Sequence, residues 1–392
     1  MSDSVVIVSG ARTPMGGLLG ELSSTNAVDL GTTAIKATIE RGNIAAADIE
    51  EVYMGCVLPA GLKQAPARQA AITAGIPDTA GAVTINKLCG SGMQATIFAH
   101  DSIKAGTCKV AIAGGMESMS NAPHIVNGAR GGVGTGARSL EDHMFFDGLQ
   151  DAFTGRLMGS FAQQTADDNN LSREEMDAFA IQSLQRATAA IESGALNDEI
   201  VPVVLKSRRG ETTISQDEQP PKAKLDKIPQ LRPAFAKDGT ITAANASSIS
   251  DGASALLMMS ESEAQARGLK PLARILSHAR NSHEPALFTT APIGAIEKAL
   301  AKAGWSTADV DLWEINEAFA MVTMLATKEL GLDPATVNVN GGACAQGHPV
   351  GSTGSRIILT LIHALKKAGK SKGVASLCIG GGEGLAVTLE IC

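Results

Sequence analysis

The chain alternates short apolar runs with longer amphipathic stretches at both of its ends. Near the N-terminus, the runs "VVIVSG", "EEVYMG" and "KVAIAGG" predict buried strands, and helix-like patterns lie between them. The C-terminal part of the chain shows the same alternation. Strands that alternate with helices are typical of layered proteins in which helices cover a sheet. The pattern therefore predicts an α/β fold.

The two ends of the chain also resemble each other. "AADIEEVYMG" matches "TADVDLWEIN", and "AHDSIKAGTCKVAIAGGMES" matches "IHALKKAGKSKGVASLCIGGGEG" further along. Because several elements match in the same order, the sequence indicates an internal repeat. We predict two similar halves, one formed by residues 1–118 with about 250–270 and the other by residues 271–392. Residues 119–249, with polar helices and loops such as "QDEQPPKAKLDKIPQLRP", are predicted to form an inserted loop domain.

Composition and charge narrow the classes of protein to consider. With 392 residues, 44% hydrophobic and 19% charged, the chain is long enough for several domains with substantial cores. The net charge of −7 argues against a general nucleic-acid binder. The sequence has neither a secretory leader pattern nor a membrane-spanning apolar run, and its six cysteines include no CxxC pair. We expect a cytoplasmic protein with reduced thiols and no nucleic-acid or membrane partner.

Two Gly-rich turns place a reactive residue just before an apolar segment, and both segments, 91–106 and 351–369, are predicted to be buried helices. Cys89, in "NKLCGSGMQ", lies where the positive end of a helix dipole favours a thiolate. The alternative is that Cys89 is a small buried hydrophobe. His348, in "GGACAQGHPVGSTG", is predicted to face a cavity, the alternative being a loop histidine with an ordinary hydrogen bond.

A second thiol, Cys378, ends the apolar run of "SLCIGGGEG". The glycines behind it allow backbone N–H groups to approach a ligand, as an oxyanion requires. No Lys-Ser/Thr pair follows, which excludes a P-loop. Asn316 and Glu317, in "EINEAFA", follow another strand-like run, where loop residues of α/β proteins gather around ligands, although Asn316 is also suited to cap a helix. His143 is a further candidate, and the cysteine and histidine spacing predicts no metal site.

Taken together, these stretches resemble the thiolase family, in particular its biosynthetic branch. The resemblance covers nearly the whole chain, through "VSGARTPMGG", "PARQA", "NKLCGSGMQA", "AGGMESMSNAPH", "LRPAF", "TAANASSISDGASA", "NEAFA", "NVNGGACAQGHPVGSTGSRI" and "LCIGGGEG". It implies a five-layered αβαβα core built from two similar α/β halves, with an inserted loop domain that holds coenzyme A. It also implies assembly as a homotetramer or dimer.

The resemblance assigns a role to each matching residue. Cys89 would carry the acyl group, His348 would be the base that activates it, and Cys378 would be the acid/base for the second substrate. One oxyanion hole would consist of the N–H groups of Cys89 and Gly380, and the other of His348 with a water held by Asn316. Ser247 would contact the pantetheine arm, Met158 and Phe319 would line the acyl pocket, and Phe288 would lie near the acyl tunnel. Phe235 and Ala318 are also expected to bind substrate or coenzyme A.

The implied activity is the reversible Claisen condensation of two acetyl-CoA to acetoacetyl-CoA and CoA, in lipid metabolism, with no tightly bound cofactor. Departures from the family pattern at Leu157, Cys344, Gln346 and "ALFTTAPIGA" leave the chain-length preference open. One alternative is a 3-ketoacyl-CoA thiolase of fatty-acid β-oxidation that takes longer substrates. A decarboxylating condensing enzyme is disfavoured by the thiol at Cys378. A non-enzymatic acyl-CoA carrier is disfavoured because all three reactive residues are present.

Overall fold

A computed structural model describes residues 3–208 and 210–392. The strands are β1 (Val5–Arg12), β2 (Gly16–Gly17), β3 (Glu51–Gly55), β4 (Gly81–Ile85), β5 (Val110–Ser118), β6 (His124–Ile125), β7 (Glu141–Asp142), β8 (Val203–Ser207), β9 (Gly210–Ile214), β10 (Ser250–Ser260), β11 (Ala273–Ser282), β12 (Leu312–Ile315), β13 (Lys372–Ile379) and β14 (Glu383–Ile391). The α-helices are α1 (Ala27–Gly42), α2 (Pro66–Thr73), α3 (Ser91–Lys104), α4 (Met158–Asp168), α5 (Arg173–Glu192), α6 (Gln219–Lys222), α7 (Glu261–Ala266), α8 (Ala291–Ala303), α9 (Ala320–Glu329), α10 (Ala343–Gln346) and α11 (Thr353–Ala368). Short 3-10 helices span Ala46–Asp48, Met119–Asn121, Ala129–Gly131, Leu225–Gln230, Pro285–Thr290, Thr307–Asp309 and Pro334–Thr336, and a π-helical turn spans Met144–Leu149.

Ten of the strands form one mixed sheet in the order β12-β13-β14-β11-β1-β10-β5-β3-β4, with β2 paired to β10. The parallel pairs lie at the two ends, where β3 pairs with β4 and β5, and β12 pairs with β13. The N-terminal and C-terminal parts of the sheet meet in its middle, where β1 and β11 run antiparallel through Val5–Ile7. Residues 250–260 return to the N-terminal part of the sheet, since β10 lies between β1 and β5. The domain boundaries drawn from the sequence stay a prediction.

Helices cover both outer faces of the sheet and fill the space between its two parts. Helices α1 and α2 pack on the N-terminal strands, α8 packs on β11, β13 and β14, and α3 and α11 lie side by side in between. Successive residues of a strand point to opposite faces. Accordingly, Val6 and Val8 of β1 join the cluster under α1, whereas Val5 and Ile7 join the cluster around α3 and α11. This arrangement is the predicted five-layered αβαβα core.

The two central helices approach each other at glycines. A Cβ atom on Gly354 of α11 would lie 2.2 Å from the backbone nitrogen of Met93 in α3. A Cβ atom on Gly115 of β5 would lie 1.9 Å from the carbonyl oxygen of Gly351, just before α11. Side chains at these positions would separate the layers, so the glycines bring the turns before α3 and α11 to the same end of the core. Among the described residues, no helix combines the length and apolarity needed to cross a bilayer.

Candidate active site

The turn before α3 presents Cys89 to a cavity. Leu88 adopts a left-handed conformation with φ of 47°. The Asn86 side chain accepts the N–H of Leu88 at 3.0 Å, and the Ser91 hydroxyl donates to the Leu88 carbonyl at 2.7 Å. Gly90 lets the neighbouring strand come close, because a Cβ atom there would lie 2.4 Å from the Ile379 side chain. The braced turn leaves Cys89 partly exposed on the cavity wall.

The surroundings of Cys89 favour a neutral thiol. Burial raises its pKa to about 11, while hydrogen bonds from the backbone N–H groups of Gly380 and of Cys89 itself lower it in part. The expectation that the start of the helix stabilises a thiolate stays a prediction, and burial of the thiol acts against it. Helix α3 begins two residues later, at Ser91, and loss of solvent acts against the charged form of the thiol. The Gly380 and Cys89 N–H groups are nevertheless the pair expected to bind an oxyanion, and they converge at the thiol.

His348 lies in the loop between α10 and α11 and is buried. The Thr353 hydroxyl donates to the Pro349 carbonyl at 3.0 Å and lies 2.6 Å from His348 Nδ1. Because the hydroxyl proton is already used, Nδ1 carries the ring proton and donates to Thr353, which leaves Nε2 as a proton acceptor. Nε2 is buried and has no partner among the described residues. Burial, with a contribution from Arg356, lowers the pKa of His348 to about 3, so the ring is neutral at physiological pH.

A buried carboxylate that sequence analysis missed holds the His348 loop in place. Glu117, at the end of β5, accepts the N–H groups of Val57, Leu58 and Gly351 at 2.9, 3.1 and 3.0 Å. Burial raises its pKa to about 7, and these hydrogen bonds oppose the rise. The available signal was an acidic residue inside the buried run "VAIAGGMES". Glu117 thus ties the turn before α11 to the N-terminal strands.

Cys378 and Asn316 lie next to the cavity but do not line it. Cys378 is fully buried at the end of β13, in an apolar cluster that includes Phe288 and Phe319. Its pKa is raised by burial and by interaction with Cys89, which indicates that the two thiols are close. The backbone of Asn316 donates to the Ser376 carbonyl at 2.9 Å, whereas its side-chain amide is buried without a partner among the described residues. A buried unpaired amide is suited to hold a water.

Glu317 and His143 are occupied elsewhere. The Glu317 carboxylate accepts Ser183 Oγ at 2.7 Å, Asn338 Nδ2 at 2.9 Å and the Cys344 N–H at 3.1 Å. It therefore supports the loop that leads to His348. His143 is buried with Nδ1 2.6 Å from Asp147, and its Nε2 accepts the Ala60 N–H at 3.4 Å. Neither residue lines the cavity.

The central cavity has a volume of about 520 Å³ and a largely apolar wall. The predicted site residues on that wall are Cys89, His348, Gly380, Ser247, Met158, Phe235, Phe288, Ala318 and Phe319. Phe235 packs edge-on against Phe319 with ring centroids 6.2 Å apart. An adjoining pocket of about 410 Å³ shares Gln219 with the cavity and is lined by three lysines, Lys222, Lys224 and Lys227.

Comparison with known proteins identifies the family of the chain. The model of the thiolase N-terminal domain matches residues 5–262, and that of the thiolase C-terminal domain matches residues 269–391. The chain belongs to the thiolase family. It is 50% identical to an acetyl-CoA acetyltransferase of Rhizobium meliloti, over 99% of this chain and 98% of that protein.

Two solved structures have the same fold. The acetyl-CoA acetyltransferase of Bacillus anthracis superimposes with a TM-score of 0.97 at 40% identity, covering 100% of this chain and 99% of that one. A thiolase from Ascaris suum in complex with coenzyme A superimposes with a TM-score of 0.94 at 44% identity, covering 99% of this chain and 100% of the other. The predicted thiolase fold is confirmed.

Proposed function

We propose that this chain is an acetyl-CoA acetyltransferase that condenses two acetyl-CoA to acetoacetyl-CoA and CoA, and catalyses thiolysis in reverse. One observation carries the proposal: Cys89 and an unpaired His348 nitrogen face a single cavity, with the Gly380 N–H directed at the Cys89 thiol. Similarity to proteins named acetyl-CoA acetyltransferase supports it and gives no support to a β-oxidation role.

The first half of the reaction transfers an acetyl group from one sulfur to another. His348 Nε2 takes the Cys89 proton as the thiol attacks the thioester carbonyl, whose oxygen is bound by the Cys89 and Gly380 N–H groups. The bond to the sulfur of coenzyme A then breaks, and Cys378 gives its proton to that sulfur. Because one thioester replaces another, the step is nearly balanced. It leaves acetyl-Cys89, a protonated His348 and a Cys378 thiolate.

The second half forms the carbon–carbon bond. The Cys378 thiolate takes a proton from the methyl group of a second acetyl-CoA, whose enolate oxygen lies between protonated His348 and a water on the Asn316 amide. The enolate carbon attacks the acetyl-Cys89 carbonyl, and the Cys89 sulfur leaves and takes its proton from His348. Each protein group returns to its starting state. Two thiols are needed because one carries the acetyl group while the other removes a proton from the second acetyl-CoA.

The cavity and the adjoining pocket together suit a coenzyme A thioester. Ser247, Met158, Phe235, Phe288, Ala318 and Phe319 surround the space in which the acyl group and pantetheine arm would lie. Lys224 and Lys227 offer positive charge for phosphates next to that space, with Lys227 Nζ 3.8 Å from the exposed carboxylate of Asp226. Lys222 is paired with Glu21 and Glu218 at 2.8 Å each. Coenzyme A thioesters are then substrates, and the reaction needs no tightly bound cofactor.

Assembly as a homotetramer or dimer in the cytoplasm, in lipid metabolism, is part of the same proposal. Strand β4 is an edge strand of the sheet. Val83 on β4 is 46% exposed, and Phe98 on α3 is 44% exposed. An open strand edge with exposed apolar side chains favours pairing with another chain.

A chain-length profile tests the proposed function. We expect kcat/KM for thiolysis to be higher for acetoacetyl-CoA than for a 3-ketoacyl-CoA of eight carbons, with Cys89→Ser as the blank for both substrates. Faster cleavage of the longer substrate would favour the β-oxidation alternative, and no cleavage of either would overturn the assignment to thiolysis.

A further inference from the structure

Outside the central cavity, three metal-ligating side chains converge between α3 and β11. We propose that His100, Asp101 and His278 form a binding site for a divalent transition-metal ion, for which Zn²⁺ is the simplest probe. His100 and Asp101 are consecutive residues of α3, and His278 projects from β11. This cluster does not depend on the proposed function.

The ligand atoms already lie at coordinating distances from one another. His100 Nδ1 and His278 Nε2 lie 2.9 and 3.0 Å from the same oxygen, Oδ1 of Asp101, and all three ligand atoms fall within 4.8 Å of one another. Ligands at about 2.0–2.1 Å from a tetrahedral zinc ion are separated from each other by roughly 3.3 Å. Small shifts would therefore let an ion replace the protons that link the carboxylate to the two rings.

The type and exposure of the groups fit such an ion. Imidazole and carboxylate ligands suit zinc and other first-row transition metals. His100 is only 9% exposed, which limits its movement, whereas the Asp101 side chain is 54% exposed and leaves a side open for a water ligand. The two rings meet edge to face with centroids 5.0 Å apart. Lys104 lies near enough to His100 to disfavour a cation, and the Asp101 carboxylate offsets that charge.

Bound metal would link two distant parts of the chain. Asp101 and His278 are 177 residues apart, so ligand spacing in the sequence gave no signal and had predicted no metal site. Since α3 belongs to the N-terminal part of the core and β11 to the C-terminal part, an ion held by both would stabilise the folded over the unfolded chain.

Titration of the full-length chain with Zn²⁺, after treatment with a chelator, tests the proposal. We expect one calorimetric site that Asp101→Asn and His278→Gln each weaken at least tenfold, and that the exposed-histidine control His124→Gln leaves unchanged. Saturating Zn²⁺ should raise the Tm of the unmodified chain and of His124→Gln, but not that of Asp101→Asn. Because Asp101 is largely exposed, we expect this variant to fold, and its Tm without metal checks this.

Binding through cysteines is distinguished with Co²⁺. Coordination by His100, Asp101 and His278 should give a visible spectrum without sulfur-to-metal charge-transfer bands. Charge-transfer bands, equal affinity in His278→Gln and the unmodified chain, or no binding to the unmodified chain would each overturn the proposal.

Discussion

The two thiols of the site lie in contrasting surroundings. Cys89 is partly exposed in an irregular turn and receives hydrogen bonds from backbone N–H groups. Cys378 is fully buried at the end of a regular strand, where it pairs with Gly384 of β14. A thiol that carries an acyl group must leave room for that group and for an oxyanion, whereas a thiol that moves a proton can remain in an apolar wall. The contrast supports the division of labour proposed for them.

Burial raises the pKa of both thiols, and this affects when their protons are transferred during the reaction. With His348 neutral as well, the ligand-free site holds no preformed thiolate–imidazolium pair. In the proposed reaction, the Cys89 proton is therefore transferred to His348 as the thiol attacks the thioester.

The largest expected effect comes from Cys89→Ser. A serine hydroxyl is a far weaker nucleophile and His348 cannot ionise it readily, so we expect thiolysis of acetoacetyl-CoA to fall by at least about a thousandfold. Covalent labelling by radioactive acetyl-CoA should disappear, while the exposed-cysteine control Cys392→Ser keeps both label and activity. Undiminished labelling of Cys89→Ser would remove Cys89 from its role.

Cys378→Ser separates the two halves of the reaction. We expect labelling of Cys89 by radioactive acetyl-CoA to persist, although more slowly, because the nucleophile and its oxyanion hole are intact and the coenzyme A thiolate can leave without a proton from Cys378. Condensation and exchange of the methyl protons of acetyl-CoA should fall by about 10²–10⁴-fold, the range for loss of a general acid or base. Proton exchange at the normal rate would show that another group removes the proton, and loss of labelling as well would contradict the division between the thiols.

Glu117→Gln tests whether Glu117 holds the loop that contains His348. An amide NH₂ in place of one carboxylate oxygen leaves backbone N–H groups of Val57, Leu58 or Gly351 without an acceptor, which costs about 1–3 kcal/mol. We expect a lower free energy of unfolding in urea and a severalfold lower kcat, because the loop of His348 loosens. Equal stability and kcat would show that Glu117 does not hold this loop.

The same variant has a predicted pH dependence. The pKa of Glu117 is about 7 in the folded chain and 4.5 ordinarily, so the folded state binds its proton more tightly. Its contribution to stability is complete below pH 4.5 and is lost as the pH rises through 7, roughly 3 kcal/mol in total. The stability advantage of the unmodified chain over Glu117→Gln should therefore shrink between pH 4.5 and 7, and an advantage that grows would contradict the raised pKa.

The sequence predicted the residues whose immediate neighbours indicate a function. It missed the residues whose role depends on contacts between distant parts of the chain. Cys89, His348 and Cys378 lie in Gly-rich turns or at a strand end, and the glycines next to each reactive side chain can be read directly from the sequence. The hydrogen bond from Gly380 to Cys89 joins opposite ends of the chain, and Thr353 orients the histidine only after α11 has formed. Hydrophobic patterning also predicted the two central helices, although α11 begins at Thr353 and not at 351, because Pro349 and the following turn delay its first residue.

The smallest effect is expected at Cys344, a third cysteine near the site. Cys344 is half-buried, donates weakly to the Glu317 carbonyl at 3.7 Å, and lines the lysine pocket but not the central cavity. Cys344→Ala removes only this sulfur, so kcat/KM for acetoacetyl-CoA should stay within about twofold and labelling should be unchanged. Glu317→Gln is the matched comparison and should cost more, because its carboxylate accepts three hydrogen bonds that support the His348 loop. A large loss of kcat/KM in Cys344→Ala would mean that a thiol near the cavity takes part in the reaction even though it does not line the cavity wall.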